Sequence, residues 1–181
     1  MKYVYIVVLT TTLYACQQTN KTANQLNSHT TTDRATITNT SIDTTLAKEW
    51  LVSTITNLFS SDEVKMEEVT TPQYAEFKND ALNVDLELDS SLTLEQFNAK
   101  WGKIYNIQTH PIQTGFLISG QDWGKIYVES ISVKETDSSE PNKVLFQVVI
   151  TDKEFQVKYN RDIEVIEDQN KYLIADVVEY D

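Results

Sequence analysis

Apolar residues recur at three-to-four spacing from Leu46 onward: Leu46, Trp50, Leu51, Ile55, Leu58 and Phe59, with Lys48, Glu49, Thr54 and Asn57 between them. That period predicts an amphipathic helix. Asp43 or Thr44 can cap its start, and Ser60-Ser61-Asp62-Glu63 ends it. Ser60 with Glu63 reads as a capping box for a short second helix through Met66. Thr71-Pro72 supplies the cap and first position of another helix, with Tyr74, Phe77, Ala81 and Leu82 as its inward face. Thr93-Leu94-Glu95-Gln96 is a further capping box. It opens a helix with Leu94, Phe97 and Trp101 on one side, and Gly102 stops it.

After Trp101 the pattern changes. Ile126 to Val133, Val144 to Ile150, Phe155 to Tyr159, Ile163 to Ile166 and Tyr172 to Val178 are rich in β-branched and aromatic residues. Phe155 to Tyr159 alternates as a strand with one wet face does. Asp137-Ser138-Ser139-Glu140-Pro141-Asn142 reads as a hairpin loop. Thr151-Asp152-Lys153, Asn160-Arg161-Asp162 and Asp168-Gln169-Asn170 read as tighter turns. Helices first and an antiparallel meander after them predict an α+β fold, N-terminal helices packed on a curved antiparallel sheet. No internal repeat or boundary interrupts 46–181, which is read as a single domain.

The chain before that domain is of another kind. Met1-Lys2 precedes the apolar run Tyr3-Val4-Tyr5-Ile6-Val7-Val8-Leu9, three threonines, and Leu13-Tyr14-Ala15-Cys16. A basic residue, a short apolar run and a small residue before a cut site make a secretory signal over 1–15. The run is shorter than the roughly 20 apolar residues that a membrane span needs. Leu13-Tyr14-Ala15-Cys16 resembles the lipobox of bacterial lipoproteins, in which the cysteine takes a diacylglycerol and becomes the new N-terminus. A thiolate is the best alkylation nucleophile among side chains, and several acyl chains hold a soluble domain where one alone is marginal. In lipoproteins of Bacteroidetes type, which this segment resembles, acidic residues soon after the cysteine mark surface export. Gln17-Gln18-Thr19-Asn20-Lys21 has none, so the expected location is the cell envelope, lipid-anchored at Cys16 and facing the periplasm.

Residues 17–45 hold ten Thr, two Ser, four Asn and three Gln, with sparse, aperiodic apolar residues. Such a stretch cannot bury enough surface to offset its conformational entropy, so 16–45 is read as the acylated cysteine and a disordered tether. His29 falls within it and lacks partners for a metal role.

Composition removes several function classes. With 15 Lys+Arg against 27 Asp+Glu, the chain of 181 residues carries a formal charge of -12. A nucleic-acid partner needs a basic face, so none is expected. A single cysteine and two histidines leave little material for a disulfide framework or a metal site. Four glycines make a phosphate cradle improbable, and no Ser-His-Asp order, HExxH or EF-hand spacing is present. No cofactor or metal is expected.

The order of about three helices, an irregular middle and four or five antiparallel strands resembles the nuclear-transport-factor-two-like (cystatin-like) superfamily. Gly115-Phe116-Leu117-Ile118-Ser119-Gly120-Gln121-Asp122-Trp123 resembles a segment of a family of small secreted bacterial proteins in that superfamily, and Asn170 to Val178 resembles its last strand. The resemblance implies a cone-shaped α+β barrel with a pocket between helices and sheet. It implies no reaction, because the superfamily includes isomerases, dehydratases, binding modules and accessory proteins.

Candidate chemistry is thin. Asp122 is the best placed general base, because Trp123 beside it could desolvate it. His110 could face the same opening, with Tyr105 as a hydroxyl donor. The bland readings weigh more: Asp122 as a turn residue between Gly120 and Gly124, His110 as a surface imidazole before Pro111. Among the aromatic residues, Trp101, Phe116 and Trp123 are the candidates for a ligand pocket. Glu164, Glu167, Asp168, Asp176, Glu179 and Asp181 read as a solvated acidic face able to meet a basic protein. The expected function is therefore a non-enzymatic lipoprotein whose domain binds a protein partner or small apolar ligand. The alternatives are a lyase or isomerase using Asp122 and His110, and an envelope immunity or inhibitor protein whose contact would run through Glu164 and Glu167.

Overall fold

Asp43 caps the first helix: its Oδ1 accepts from the amides of Thr45 (2.9 Å) and Leu46 (3.1 Å), and α1 runs Thr44–Leu58. The computed structural model describes residues 41–60, 65–120 and 122–180, all of them in one compact unit. The inward stripe of α1 is Ala47, Leu51 and Ile55, while Leu46 is 53 % exposed, so the buried face is turned by one position from the expected one. Order also reaches further back than Leu46. Ile42 is buried, and its amide donates to Pro141 O at 2.7 Å, which corrects the tether reading at 41–45. The signal segment, Cys16 and the rest of the tether lie outside the described residues.

Phe59 closes α1, and a 3-10 turn, Met66–Glu68, follows in place of the expected short α-helix; Glu63, the proposed half of its capping box, is outside the described residues. Thr71 caps α2 (Pro72–Leu82) through Tyr74 N at 3.2 Å, with Pro72 in the first turn. The capping box is formed in α3 (Leu94–Trp101): Gln96 N donates to Thr93 Oγ1, and Thr93 N donates to Gln96 Oε1. Gly102 ends that helix with ordinary right-handed dihedrals, and its lack of a side chain matters sterically, since a Cβ there would stand 2.7 Å from Asn98 O.

Four strands follow: β1 (Ile126–Glu135), β2 (Lys143–Asp152), β3 (Val157–Asp168) and β4 (Lys171–Glu179). They form one antiparallel sheet in the order β1-β2-β3-β4, so the chain is α+β, as expected. The five sequence strands become four. Asn160-Arg161-Asp162, read as a turn, lies in the middle of β3, with Arg161 fully buried on one face and Asp162 nearly so on the other. Phe155 is displaced the other way, into the β2–β3 turn, where it is 55 % exposed. The β3–β4 hairpin turns on Gln169 and Asn170, both at positive φ (49° and 62°), the signature of a two-residue type I′ turn.

Register stacks the inward residues of the sheet into cross-strand rows. Val144, Val165 and Ile174 form one, and Phe146, Ile163 and Val177 the next. The third row is Val148, Arg161 and Glu179, and the fourth pairs Ile150 with Tyr159. These apolar residues join those of α1, α2 and α3 in one core. Register shifts interrupt β1–β2 twice and β3–β4 once, between Glu164 and Val165. The outer edge of β4 is covered: Ile174 N donates to Val69 O and Thr71 N donates to Ile174 O, each at 2.9 Å. No described helix is long and apolar enough to cross a membrane.

Candidate functional site

Between α3 and β1, the described residues of 103–125 carry no helix or strand. Irregular stretches of this length inside compact domains are uncommon and usually functional. Their backbone groups need partners that regular elements would have supplied. Here side chains and neighbouring elements supply them. Gln113 N donates to Ala81 O and Gln113 Nε2 to Val84 O, both at 2.9 Å, pinning the stretch to the end of α2. Glu179 N donates to Thr109 O at 2.9 Å. Arg161 Nε donates to Leu117 O (3.1 Å) and its Nη2 to Ser119 Oγ (3.0 Å).

The path is tight. Gln113 and the fully buried Leu117 have positive φ, 58° and 67°, which a side chain rarely adopts and the surroundings must hold in place. Gly115 has no room for a side chain, because a Cβ would stand 2.5 Å from Ile118 O. This loop forms one wall of an open cleft of about 350 Å3. The end of α1, the 3-10 turn and α2 form the others, through Phe59, Met66, Glu67, Asn79 and Leu82. Phe116 and Trp123 line the loop side, and Trp123 meets Phe59 edge to face with centroids 5.5 Å apart. At the cleft, Glu67 Oε1 accepts from Asn79 Nδ2 at 3.1 Å.

Behind the loop lies a buried knot of charge. Lys78 Nζ donates to Glu179 Oε1 at 2.7 Å and to Thr114 Oγ1 at 3.1 Å, with both ionic side chains 2 % exposed. Glu179 Oε2 stands 3.6 Å from Arg161 Nη2 and accepts no hydrogen bond among the described residues. Burial pulls the Lys78 amine below its ordinary range, and the Glu179 carboxylate opposes that fall. Glu179 therefore belongs to the core and not to the solvated acidic face on which the sequence reading put it. Asp176 and Glu164 are half-buried, while Glu167 and Asp168 lie toward the end of β3. Asp181 is outside the described residues.

The proposed base and acid are not brought together. Asp122 is exposed and is not among the residues lining the cleft. His110 is buried, at 7 % exposure, which corrects its reading as a surface imidazole. Its Nε2 meets Asp176 Oδ1 at 2.9 Å, while Nδ1 lies 3.1 Å from Asn106 O and 3.0 Å from Thr109 Oγ1. Both ring nitrogens are thus engaged inside the protein. Tyr105 does sit beside His110, at 5.2 Å between ring centroids, but it is stacked on Phe77 at 3.9 Å as part of the core. Burial, with the Asp176 charge adding to it, pushes the Tyr105 hydroxyl up to about 12. Of the three pocket candidates, Phe116 and Trp123 line the cleft. Trp101 does not: it is buried against Phe77, with Nε1 donating to Asp80 Oδ2 at 2.8 Å.

Sequence reasoning missed Glu67 and Asn79 at the cleft, and Lys78 and Arg161 behind it. The signal for the last two was present. Lys78 falls on the Tyr74–Phe77–Ala81 stripe at helical spacing, and Arg161 stands two residues from both Tyr159 and Ile163 on the inward side of β3. Among the described residues, no group of three His, Cys, Asp or Glu side chains is placed to hold a metal ion. Comparison with family models, with curated proteins and with solved structures gives no match, and the functional reading therefore rests on the geometry of the cleft and its supports.

Proposed function

We propose that the chain is an envelope lipoprotein, anchored through a diacylglycerol on Cys16 and facing the periplasm, whose domain binds a small apolar ligand. The domain is proposed to be a member of the nuclear-transport-factor-two-like superfamily, with which helices preceding an antiparallel meander are compatible. The observation that carries the binding role is the cleft. Its volume of about 350 Å3 falls within the range of small-molecule pockets, and its walls are mainly apolar with a few polar groups. A concave site of this kind favours a small ligand over a protein surface. The anchor rests on Leu13-Tyr14-Ala15-Cys16 at the end of a short apolar run. A lyase or isomerase built on Asp122 and His110 is less favoured, since Asp122 is exposed and outside the cleft lining while both His110 ring nitrogens are held within the protein. A protein-docking role for Glu164 is not favoured either, since that carboxylate is half-buried and held by Lys143 at 3.2 Å.

Mass spectrometry of the full-length protein extracted from membranes tests both halves. The expected result is a chain beginning at an acylated Cys16, carrying a small apolar molecule that Trp123→Ala protein loses. A Cys16→Ser protein sedimenting with membranes as firmly as the wild type would contradict the anchor. A Trp123→Ala protein retaining the same molecule would contradict the site.

A further inference from the structure

We propose that the ligand of the cleft is an organic cation, an amine or quaternary ammonium on a compact apolar body. The charge would stand against Glu67 and the body against Phe59, Phe116 and Trp123. This rests on the ligand-binding reading above and refines it: the apolar body is kept and a positive charge is added to it. Among the described lining residues, Glu67 is the sole ionisable side chain; lysine, arginine and histidine are absent from that set. Its Oε1 accepts from Asn79, and its Oε2 carries no hydrogen bond among the described residues, which leaves one carboxylate oxygen without a protein donor. Aromatic rings carry negative charge on their faces, and three aromatic residues line the same cleft as the carboxylate, a composition that favours a cation.

An anion finds the opposite. The side-chain amide nitrogens of the cleft are engaged within the protein, that of Asn79 on Glu67 and that of Gln113 on Val84 O. Arg161 stands behind Ser119, is fully buried, and does not line the cleft. At longer range the formal charge of -12 draws cations toward the protein and repels anions, an effect that weakens as salt rises.

Three probes with one body separate charge from shape: 4-phenylbutylamine, 4-phenylbutanol and 4-phenylbutyrate, titrated calorimetrically into the intact protein at low salt. The amine is expected to bind roughly tenfold more tightly than the alcohol, as one charge-assisted contact with aromatic support provides, and the carboxylate most weakly. Glu67→Gln changes an exposed side chain and should erase the preference for the amine while leaving the alcohol's affinity in place. Trp123→Ala should weaken amine and alcohol alike. Equal affinity for amine and alcohol, or a preference that survives Glu67→Gln, would overturn the cationic assignment and leave the apolar cleft standing. Failure of all three probes to bind would overturn the cleft reading and this inference with it.

Discussion

Neighbouring rows of the same sheet face are built in opposite ways. Phe146, Ile163 and Val177 form a row of hydrocarbon, while one step along the strands Val148, Arg161 and Glu179 place two charged side chains in an equally buried layer. The difference follows from what each row must meet. Helices satisfy their own interior backbone and present apolar side chains, so an apolar row suffices where they pack. The 103–125 stretch presents carbonyls and hydroxyls instead, among them Leu117 O and Ser119 Oγ, and an apolar row would offer them no donor. Arg161 supplies the donors, Glu179 balances its charge, and Lys78 completes the set from α2. The charged row thus shapes the wall of the cleft, whereas the apolar rows stabilise the fold as a whole.

Removing the shared carboxylate should have the largest effect on stability. Glu179→Ala leaves Lys78 and Arg161 buried without it, a type of change that costs about 3–5 kcal/mol. Urea unfolding reads this directly, and a loss below about 1 kcal/mol would erase the distinction between the rows. In the apolar row, Ile163→Val should cost about 0.5–1.5 kcal/mol and leave affinity for the cleft ligand unchanged. A concomitant loss of binding would show that the two rows are not separable.

Alkaline pH sharpens the same comparison through the aromatic groups between α2 and the loop. Tyr105 titrates at about 12 in the folded protein, and Tyr74 is also raised, chiefly by burial, against about 10 in an unfolded chain. The unfolded chain therefore loses these protons first, and stability should fall as pH rises from about 10 to about 12. Tyr105→Phe should make that fall shallower, which thermal melts across the window would measure. A smaller effect is expected at the α3 cap: Thr93→Ala should cost about 1 kcal/mol without altering the cleft.

How much of this was legible in the chain depended on whether local chemistry agreed with tertiary demand. The caps at Asp43, Thr71 and Thr93 are local hydrogen bonds between residues two or three apart, and all three form. Phe116 and Trp123 stood outside any period and do line the cleft. Asn160-Arg161-Asp162 looked like a turn because three polar residues rarely occupy a buried strand, and the distant loop and β4 supply partners for Arg161 that no local pattern shows. His110 was misplaced for a related reason: its partner Asp176 is 66 residues away, on the last strand of the sheet. Long-range polar pairing overrode local propensity at each of these positions. Those are the positions that tie the irregular stretch to the sheet.

The decisive measurement is calorimetric titration of Arg161→Met protein with 4-phenylbutanol, beside the wild type. This substitution keeps the Lys78–Glu179 pair, removes the donors to Leu117 and Ser119, and leaves the lining side chains in place. If the buried arginine holds the cleft wall, the folded variant should bind the alcohol at least about tenfold more weakly, a loss of about 1.4 kcal/mol. Wild-type affinity in a folded Arg161→Met protein would contradict that role.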